Sequence, residues 1–481
     1  MKMASSEQDQ AISSKRNAEA SGLDQGCGSP VKQSKSLPSG AAPDEFRTVS
    51  SLVDRFAYTP DCKSLIFVMV GLPARGKSFV AMRLVRFLQW TGTEARVFNV
   101  GKHRRNTETG VQDAKYFDPS SATAASRREE LAMQVLDEML TWVLAAEGRF
   151  AIFDATNTTR ARRSAVANRL GNAKGLGVVF LESLCDDEDV LEANIAQKLA
   201  KSPDYSKLDK VAARQDLLQR ISHYEKVYEP LQEDAMVIRG KRQNIAYIKL
   251  VNFASHVVAH NIYGRVATSV LPYLMSLHVG SRPLWLVRPP HSDQTAMGWR
   301  NTNPQDWPPP EHVRFSEHSL SPKGHQFADA LAKFVLKQTK DPVVFCNTHR
   351  RSTEVGDRLG GGRIRGTLNP QERGACNGLT AKHLAVQQPQ VWADPVSVRF
   401  PGGESLGDMI VRLMPTLIEI EQEMRPTLVV APLSVLQVLY CYFKQRPVAQ
   451  AMTIELPMHT VIEIKPDGAD FAERQMSEAE L

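Results

Sequence analysis

Gly71-Leu72-Pro73-Ala74-Arg75-Gly76-Lys77-Ser78 limits what this chain can fold into more than any other stretch of it. The segment fits G-x-x-x-x-G-K-[ST] and directly follows the apolar run Leu65-Ile66-Phe67-Val68-Met69-Val70. That run reads as a buried parallel strand. From Ser78 to about Trp90 apolar residues recur at helical spacing, so the motif sits on a strand-to-helix turn. Such a turn binds anions. Its backbone N–H groups wrap around phosphates, the helix N-terminus adds partial positive charge, Lys77 reaches the β- and γ-phosphates, and Ser78 is placed to ligate Mg²⁺.

At 481 residues the chain exceeds one ordinary core, which predicts two folded domains and a tail. No apolar run approaches the ~18 to 20 residues that span a bilayer, and Met1-Lys2-Met3-Ala4-Ser5-Ser6-Glu7 lacks the apolar core of a secretory signal. The six cysteines (Cys27, Cys62, Cys185, Cys346, Cys376, Cys441) are scattered, with no C-x-x-C pair. Reduced thiols in the cytoplasm are the expectation. Ala479-Glu480-Leu481 does not fit the peroxisomal S-K-L pattern. The net charge of +6 suits anionic small molecules, and no Lys/Arg run or aromatic-interleaved basic repeat points to nucleic acid.

Residues 1–60 are rich in Ser, Gln, Lys, Gly and Pro and read as a disordered tail. From Leu65 strands and helices alternate. Strands are expected at Arg96–Val100, Phe150–Asp154, Gly177–Leu184 and, last, Ile245–Asn252. Helices are expected over about Ala122–Ala146, from Thr158, and around Asp187–Leu199 and Val211–Tyr228. This is an α/β domain with a mainly parallel, doubly wound sheet, at 61–278. Ala254–His278 reads as a connecting amphipathic helix. A second α/β domain, 279–481, follows with strands at Leu284–Val287, Val343–Cys346, Leu428–Ala431 and Val461–Ile464, and helices at Pro322–Lys337 and Leu406–Met424.

Phe150-Ala151-Ile152-Phe153-Asp154 is a buried strand ending in a carboxylate. Asp154 would lie at the carboxyl edge of the sheet beside Lys77 and Ser78, where it can hold Mg²⁺ or accept a proton from an attacking hydroxyl. Arginines stand in the surrounding polar segments: Arg104-Arg105, Arg127-Arg128, Arg160 to Arg163, and Arg220 with Tyr224 at i, i+4. Guanidinium forks match phosphate oxygens, so several converging on one cleft suit a phosphorylated acceptor.

These residues carry a resemblance. Gly71–Ser78, Phe98-Asn99-Val100-Gly101 with Arg104-Arg105, Asp154-Ala155-Thr156-Asn157-Thr158-Thr159-Arg160, Glu182-Ser183 with Cys185-Asp186-Asp187, Ser202-Pro203-Asp204-Tyr205, and Arg220-Ile221-Ser222 with Tyr224-Glu225 resemble the kinase half of the 6-phosphofructo-2-kinase/fructose-2,6-bisphosphatase family. The match runs in order from about Leu65 to the chain end. It implies that Gly71–Ser78 and Asn194 bind ATP, and that Lys77, Asp154 and Cys185 fall on catalytic positions. Arg104, Arg127, Thr156, Arg162, Arg220 and Tyr224 fall on fructose 6-phosphate positions. Two departures stand out. Lys102-His103 replaces an acidic-aromatic pair, and a nucleotide-contacting lysine of the family falls on Leu199, with Lys198 one place earlier.

The second half resembles the family's bisphosphatase domain, a histidine-phosphatase fold similar to phosphoglycerate mutase. Leu320-Ser321-Pro322-Lys323-Gly324, Gly402-Gly403-Glu404-Ser405 and Arg412-Leu413 with Pro415 keep its scaffold. Its chemistry is altered. Where the family has Arg-His-Gly-Glu, with His as phosphoryl acceptor, this chain reads Arg288-Pro289-Pro290-His291. His291 comes two places late, and the prolines remove two N–H donors from a phosphate-cradling loop. The second active-site histidine falls on Pro432, and the general-acid glutamate on Pro370, with Glu372 displaced by two. Loss of a covalent nucleophile alone can cost on the order of 10⁶ in kcat. The expectation is an inactive bisphosphatase; Arg288 and Arg351, on the family's phosphate-clamping positions, are either a residual phosphate-binding pair or ordinary surface charges.

The resemblance therefore implies a kinase that phosphorylates the 2-hydroxyl of fructose 6-phosphate with ATP and Mg²⁺, with Ser78 and Asp154 at the metal, and a homodimer assembled through the kinase half. Two rivals remain: a phosphate-loop kinase for another phosphorylated sugar or polyol, favoured by Lys102-His103, and a sugar-phosphate-binding pseudoenzyme.

Overall fold

The computed structural model describes residues 64–292 and 318–481, apart from 108–113, 172, 174, 207, 233–235, 239–240, 254, 378 and 380. The expected tail, 1–60, lies outside the described residues.

The first sheet grows from strands too apolar to face water. In β1 (Ser64–Val70) every residue is buried, and in β3 (Phe150–Asp154) likewise. With β2 (Ala95–Asn99), β4 (Leu176–Leu184), β7 (Ala246–Val251) and β8 (His256–His260) they form a sheet of order β2-β3-β1-β4-β7-β8. The pairs β2–β3, β3–β1, β1–β4 and β4–β7 are parallel, and only the edge strand β8 is antiparallel. A short hairpin, β5 (Met236–Ile238) with β6 (Lys241–Gln243), stands apart.

Helices cover both faces. Helices α1 (Lys77–Trp90), α2 (Val100–Thr107), α3 (Ala122–Leu144), α4 (Arg160–Gly171), α5 (Glu188–Lys201) and α6 (Lys210–Glu225) follow in order. Asp187 and Asp209 cap the N-termini of α5 and α6, accepting backbone N–H groups at 3.1 and 2.9 Å.

The segment expected as one helix, Ala254–His278, is not one. His256–His260 pairs with β7 as an added edge strand, so Ile245–Asn252 is not the last strand of the sheet. The β-branched Val257-Val258 pair favours extended backbone. Positive φ at Asn261 and Gly264 then turns the chain. The helix that follows is wide-turned over Val266–Val270 before α7 (Leu271–Ser276). Pro272 supplies no N–H to close an ordinary turn there.

The second sheet has order β11-β10-β12-β9-β13-β14, from β9 (Leu284–Val287), β10 (Val343–Cys346), β11 (Arg363–Ile364), β12 (Thr427–Val430), β13 (Thr460–Asp467) and β14 (Asp470–Ser477). The four expected strands are joined by β11 and by the antiparallel β14. Helix α8 (Pro322–Gln338) covers one face. Helices α9 (Arg350–Asp357), α10 (Leu406–Gln422) and α11 (Leu433–Phe443) also belong to this half, α10 and α11 on the opposite face, with two short helices, Ala381–Gln387 and Pro389–Ala393, between α9 and α10.

That opposite face packs on α1 and α7. Phe87, Trp90, Tyr273, Leu413, Leu439 and Tyr442 belong to one continuous apolar core shared by the two halves. Tyr273 stacks on Phe87 with ring centroids 4.1 Å apart and shares a 2.8 Å hydroxyl contact with Tyr442. Trp90 Nε1 donates to Val438 O at 2.9 Å. The helix that begins with Lys77 is thereby gripped along its length by the second half.

Candidate active site

The phosphate loop leaves β1 at Gly71 and enters α1 at Lys77. Its conformation requires the glycines it has. Gly71 has φ +136°, and a Cβ there would meet Ser183 O at 2.6 Å; at Gly76, φ +82°, a Cβ would meet the Phe253 ring at 2.5 Å. Ala74 also lies in the left-handed region, φ 59°. Gly71 N donates to Thr156 O at 2.9 Å and Asn157 Nδ2 to Met69 O at 2.7 Å, which ties the loop to the segment after β3. The parallel registers of β2, β3 and β1 bring their carboxyl ends to one edge.

Asp154 stands at that edge, 4% exposed, where Ser78 Oγ donates to its Oδ2 at 2.7 Å and Asn99 Nδ2 reaches the same oxygen. Lys77 is buried and donates to Leu72 O within its own loop. Burial pushes its amine down to about 7, reinforced by Lys198 and Arg75 and opposed by Asp154. Lys198 is lowered too, first by burial.

These groups line a cavity of about 1350 Å³. Of the expected nucleotide residues, Pro73, Ala74, Gly76, Lys77, Ser78 and Asn194 line it. Gly71, Leu72 and Arg75 support the loop without lining it, and Arg75 pairs with Glu225 at 3.6 Å. Asn194 Nδ2 is buried with no hydrogen-bond partner, an orphan donor suited to a nucleotide.

Five of the six expected acceptor residues, Arg104, Thr156, Arg162, Arg220 and Tyr224, line the same cavity. Arg127 does not. It is exposed and pairs with Glu130 one turn on at 3.5 Å, while its neighbour Arg128 lines the cavity and donates to Tyr116 O. Arg162 pairs with Glu129. Cys185 also stands outside: its thiol faces Asp187 O at 3.7 Å, and burial pushes it up. A buried thiol held protonated is a poor nucleophile or base.

At the departure noted at Leu199, the lysine one place earlier lies in the cavity. Leu199 packs against the apolar cluster of Ile195, Tyr205 and Leu217, and Lys198 instead turns into the cavity. Arg105, one of the arginines expected to converge on a cleft, and Asp204, which carried no assigned role, also line it. Of the altered pair, Lys102 lines the cavity, while His103 faces Glu138 at 3.8 Å.

In the second half, Pro289-Pro290 follow β9, and His291 is bound into the scaffold. Its backbone N donates to His459 Nε2 at 3.3 Å, its Nδ1 lies 2.8 Å from Ser321 Oγ, and its carbonyl accepts from Ser321 N at 3.1 Å. Pro432 caps α11, and Glu372 accepts Gly374 N at 3.0 Å within its own loop. Arg288 donates to Leu456 O at 3.0 Å, and Arg351 opens α9.

Fold and cavity together define a phosphate-loop kinase domain followed by a histidine-phosphatase-like domain. The family model for 6-phosphofructo-2-kinase matches residues 55–281, and that of the histidine phosphatase superfamily, branch 1, matches 311–478. The 6-phosphofructo-2-kinase/fructose-2,6-bisphosphatase of Arabidopsis thaliana is 32% identical over 461 residues, 92% of this chain and 57% of its own length. The 6-phosphofructo-2-kinase/fructose-2,6-bisphosphatase 4 of Homo sapiens is 32% identical over 412 residues, 84% of this chain and 83% of its own. Among solved structures, a mycobacterial glucosyl-3-phosphoglycerate phosphatase matches 40% of this chain and 97% of its own, at 21% identity and a TM-score of 0.31. The chain belongs to the 6-phosphofructo-2-kinase/fructose-2,6-bisphosphatase family. Among the described residues no helix is long and apolar enough to cross a membrane.

Proposed function

We propose that the protein transfers the γ-phosphoryl group of ATP to the 2-hydroxyl of fructose 6-phosphate, making fructose 2,6-bisphosphate, and that its second half hydrolyses nothing. The observation that carries the reading is the single cavity in which Lys77, Ser78 and Asp154 meet Arg104, Arg162 and Arg220. A nucleotide suits the first group: the loop's glycines hold it in the conformation it has against Ser183 and Phe253, and Asn194 has an orphan donor. A bound Mg²⁺ would neutralise charge on the phosphates, with Ser78 and Asp154 as the residues that hold it. Lys77 and Lys198 supply positive charge at the transferring phosphoryl group, and Asp154 is the base within reach of an acceptor hydroxyl. Arg104, Arg128, Arg162, Arg220, Thr156 and Tyr224 bind the acceptor. Catalysis by positioning and charge neutralisation needs no covalent intermediate, so Cys185 has no part in transfer.

Three positions support an inactive bisphosphatase. Pro289, Pro370 and Pro432 stand where nucleophile, acid and second histidine are needed, and both His291 and Glu372 are engaged in local hydrogen bonds. Arg288 and Arg351 remain as a phosphate-binding remnant. We place the kinase domain at 61–278 and the degenerate domain at 279–481. A kinase for another phosphorylated sugar or polyol is the second reading, favoured by Lys102 at the cavity wall. An acceptor screen separates the two: with MgATP, ADP release should be highest with fructose 6-phosphate, and faster release with another phosphorylated sugar or polyol would overturn the assignment.

A further inference from the structure

One carboxylate oxygen inside the cavity meets three guanidinium groups. Asp204 Oδ2 lies 2.7 Å from Arg104 Nη2, 3.3 Å from Arg220 Nη1 and 3.8 Å from Arg105 Nη1. Asp204 sits on the short turn Pro203–Tyr205, and its side chain is 16% exposed, against 9% and 7% for Arg104 and Arg220.

Two roles are open to such a group: an anchor that holds the arginines in place, or an anion that occupies their binding capacity. The surroundings decide. Arg104 lies over the Phe117 ring at 5.2 Å, and Arg220 lies over Phe117 at 4.5 Å and Tyr205 at 5.2 Å. Arg220 Nε is also held by Asp216 Oδ2 at 2.6 Å, and Asp216 does not line the cavity. Arg220 thus has two aromatic plates and a second carboxylate besides Asp204, and Arg104 has the Phe117 ring, so neither guanidinium rests on Asp204 alone. The cavity walls carry eleven Lys and Arg residues, among them Lys77, Lys198, Arg104, Arg105 and Arg220, against five carboxylates, those of Glu129, Asp154, Asp204, Asp467 and Asp470. Its charge is left far from balance, a state suited to an incoming dianion.

Resting on the kinase reading for the identity of the acceptor, we propose that Asp204 is an internal competitor for the acceptor's phosphate and sets the specificity for a phosphorylated sugar. In the free protein its carboxylate occupies Arg104, Arg105 and Arg220. A sugar phosphate, with nearly two charges at neutral pH and three oxygens, displaces one singly charged oxygen. An uncharged sugar cannot, because it would leave the arginines bound to Asp204 and its own hydroxyls facing ions already satisfied.

The test uses the full chain with Asp204→Asn and Asp204→Ser. Titrated with inorganic phosphate in a calorimeter, both should bind it at least about threefold tighter than the unaltered chain, since a like charge at hydrogen-bond range from the guanidinia is gone. The gain should vanish in Asp204→Asn combined with Arg104→Met, which assigns it to this end of the cavity and not to the phosphate loop. The KM for fructose 6-phosphate should fall by a similar factor with kcat little changed. Unchanged or weaker phosphate binding overturns the proposal, as does failure of both variants to fold, because either result makes Asp204 an anchor. Phosphate binding needs no turnover. Tighter binding in a protein that makes no fructose 2,6-bisphosphate would therefore uphold the competitor and sink the kinase reading alone.

Discussion

Ser78 Oγ donates a 2.7 Å hydrogen bond to Asp154 Oδ2 across 76 positions of sequence. Their meeting depends on β1 and β3 being parallel neighbours in register, so the phosphate loop and the carboxylate strand end together. Replacing Asp154 by Asn keeps the shape and removes the charge. We expect kcat for phosphoryl transfer to fall by about 10²–10³ with the fold intact, measured as initial rates beside thermal melting; a loss under threefold would remove Asp154 from the chemistry.

Lys77 makes nucleotide binding proton-linked. Its amine, pushed down to about 7 by burial, is mostly neutral at pH 8 in the free protein and charged at pH 6. Phosphate oxygens stabilise the ammonium and raise its pKa. MgATP binding should therefore take up a proton at pH 8 and much less at pH 6, read by calorimetry in buffers of different ionisation enthalpy. Uptake undiminished in Lys77→Met would refute the assignment; a partial remainder there belongs to Lys198, whose amine burial also lowers.

Arg127 and Arg128 are adjacent, yet only Arg128 lines the cavity. Arg128→Ala should raise the KM for the acceptor about tenfold and Arg127→Ala less than twofold, the difference between losing a charged phosphate contact and losing an exposed ion pair. The reverse order would restore Arg127 as the acceptor ligand.

Arg83 on α1 and Glu421 on α10 form a buried pair between the two halves, 3.6 Å apart, with exposures of 3% and 5%. The pair is close without being hydrogen-bonded, since Arg83 Nη1 and Glu421 Oε1 lack hydrogen-bond partners. The Arg83 guanidinium also lies over Phe471 at 4.1 Å. Glu421→Leu should destabilise the protein by roughly 3 kcal/mol, because it leaves Arg83 buried and unpaired, and adding Arg83→Met should recover part of the loss. Denaturant midpoints of the two single variants and the double variant decide it, and additive losses would deny the coupling.

The phosphate loop, Asp154 and most of the arginines that line the cavity were legible because their types and spacing are tied to chemistry. Less legible were the rotation of helices about their axes and the state of one edge strand. On α5, Leu191, Ile195 and Leu199 recur at i, i+4 and form the apolar stripe, so Lys198 must face elsewhere; the signal was in the sequence. On α3 the buried stripe Leu131, Ala132, Val135, Leu136, Met139 and Val143 fixes the rotation and puts Arg128, not Arg127, on the inner face, so that signal too was in the sequence. His256–His260 read as helix because its pairing partner, β7, confers the strand state, and local periodicity does not record it. The grip of the second half on α1 arises from contacts between residues hundreds of positions apart, such as Trp90 with Val438, which no local pattern encodes.

The most direct test incubates the purified chain with MgATP and fructose 6-phosphate and assays acid-labile fructose 2,6-bisphosphate, with Lys77→Ala alongside and the product offered back for hydrolysis. The proposed function requires product from the unaltered chain, none from Lys77→Ala, and no hydrolysis. No product despite bound ATP, or measurable hydrolysis of fructose 2,6-bisphosphate, would contradict it.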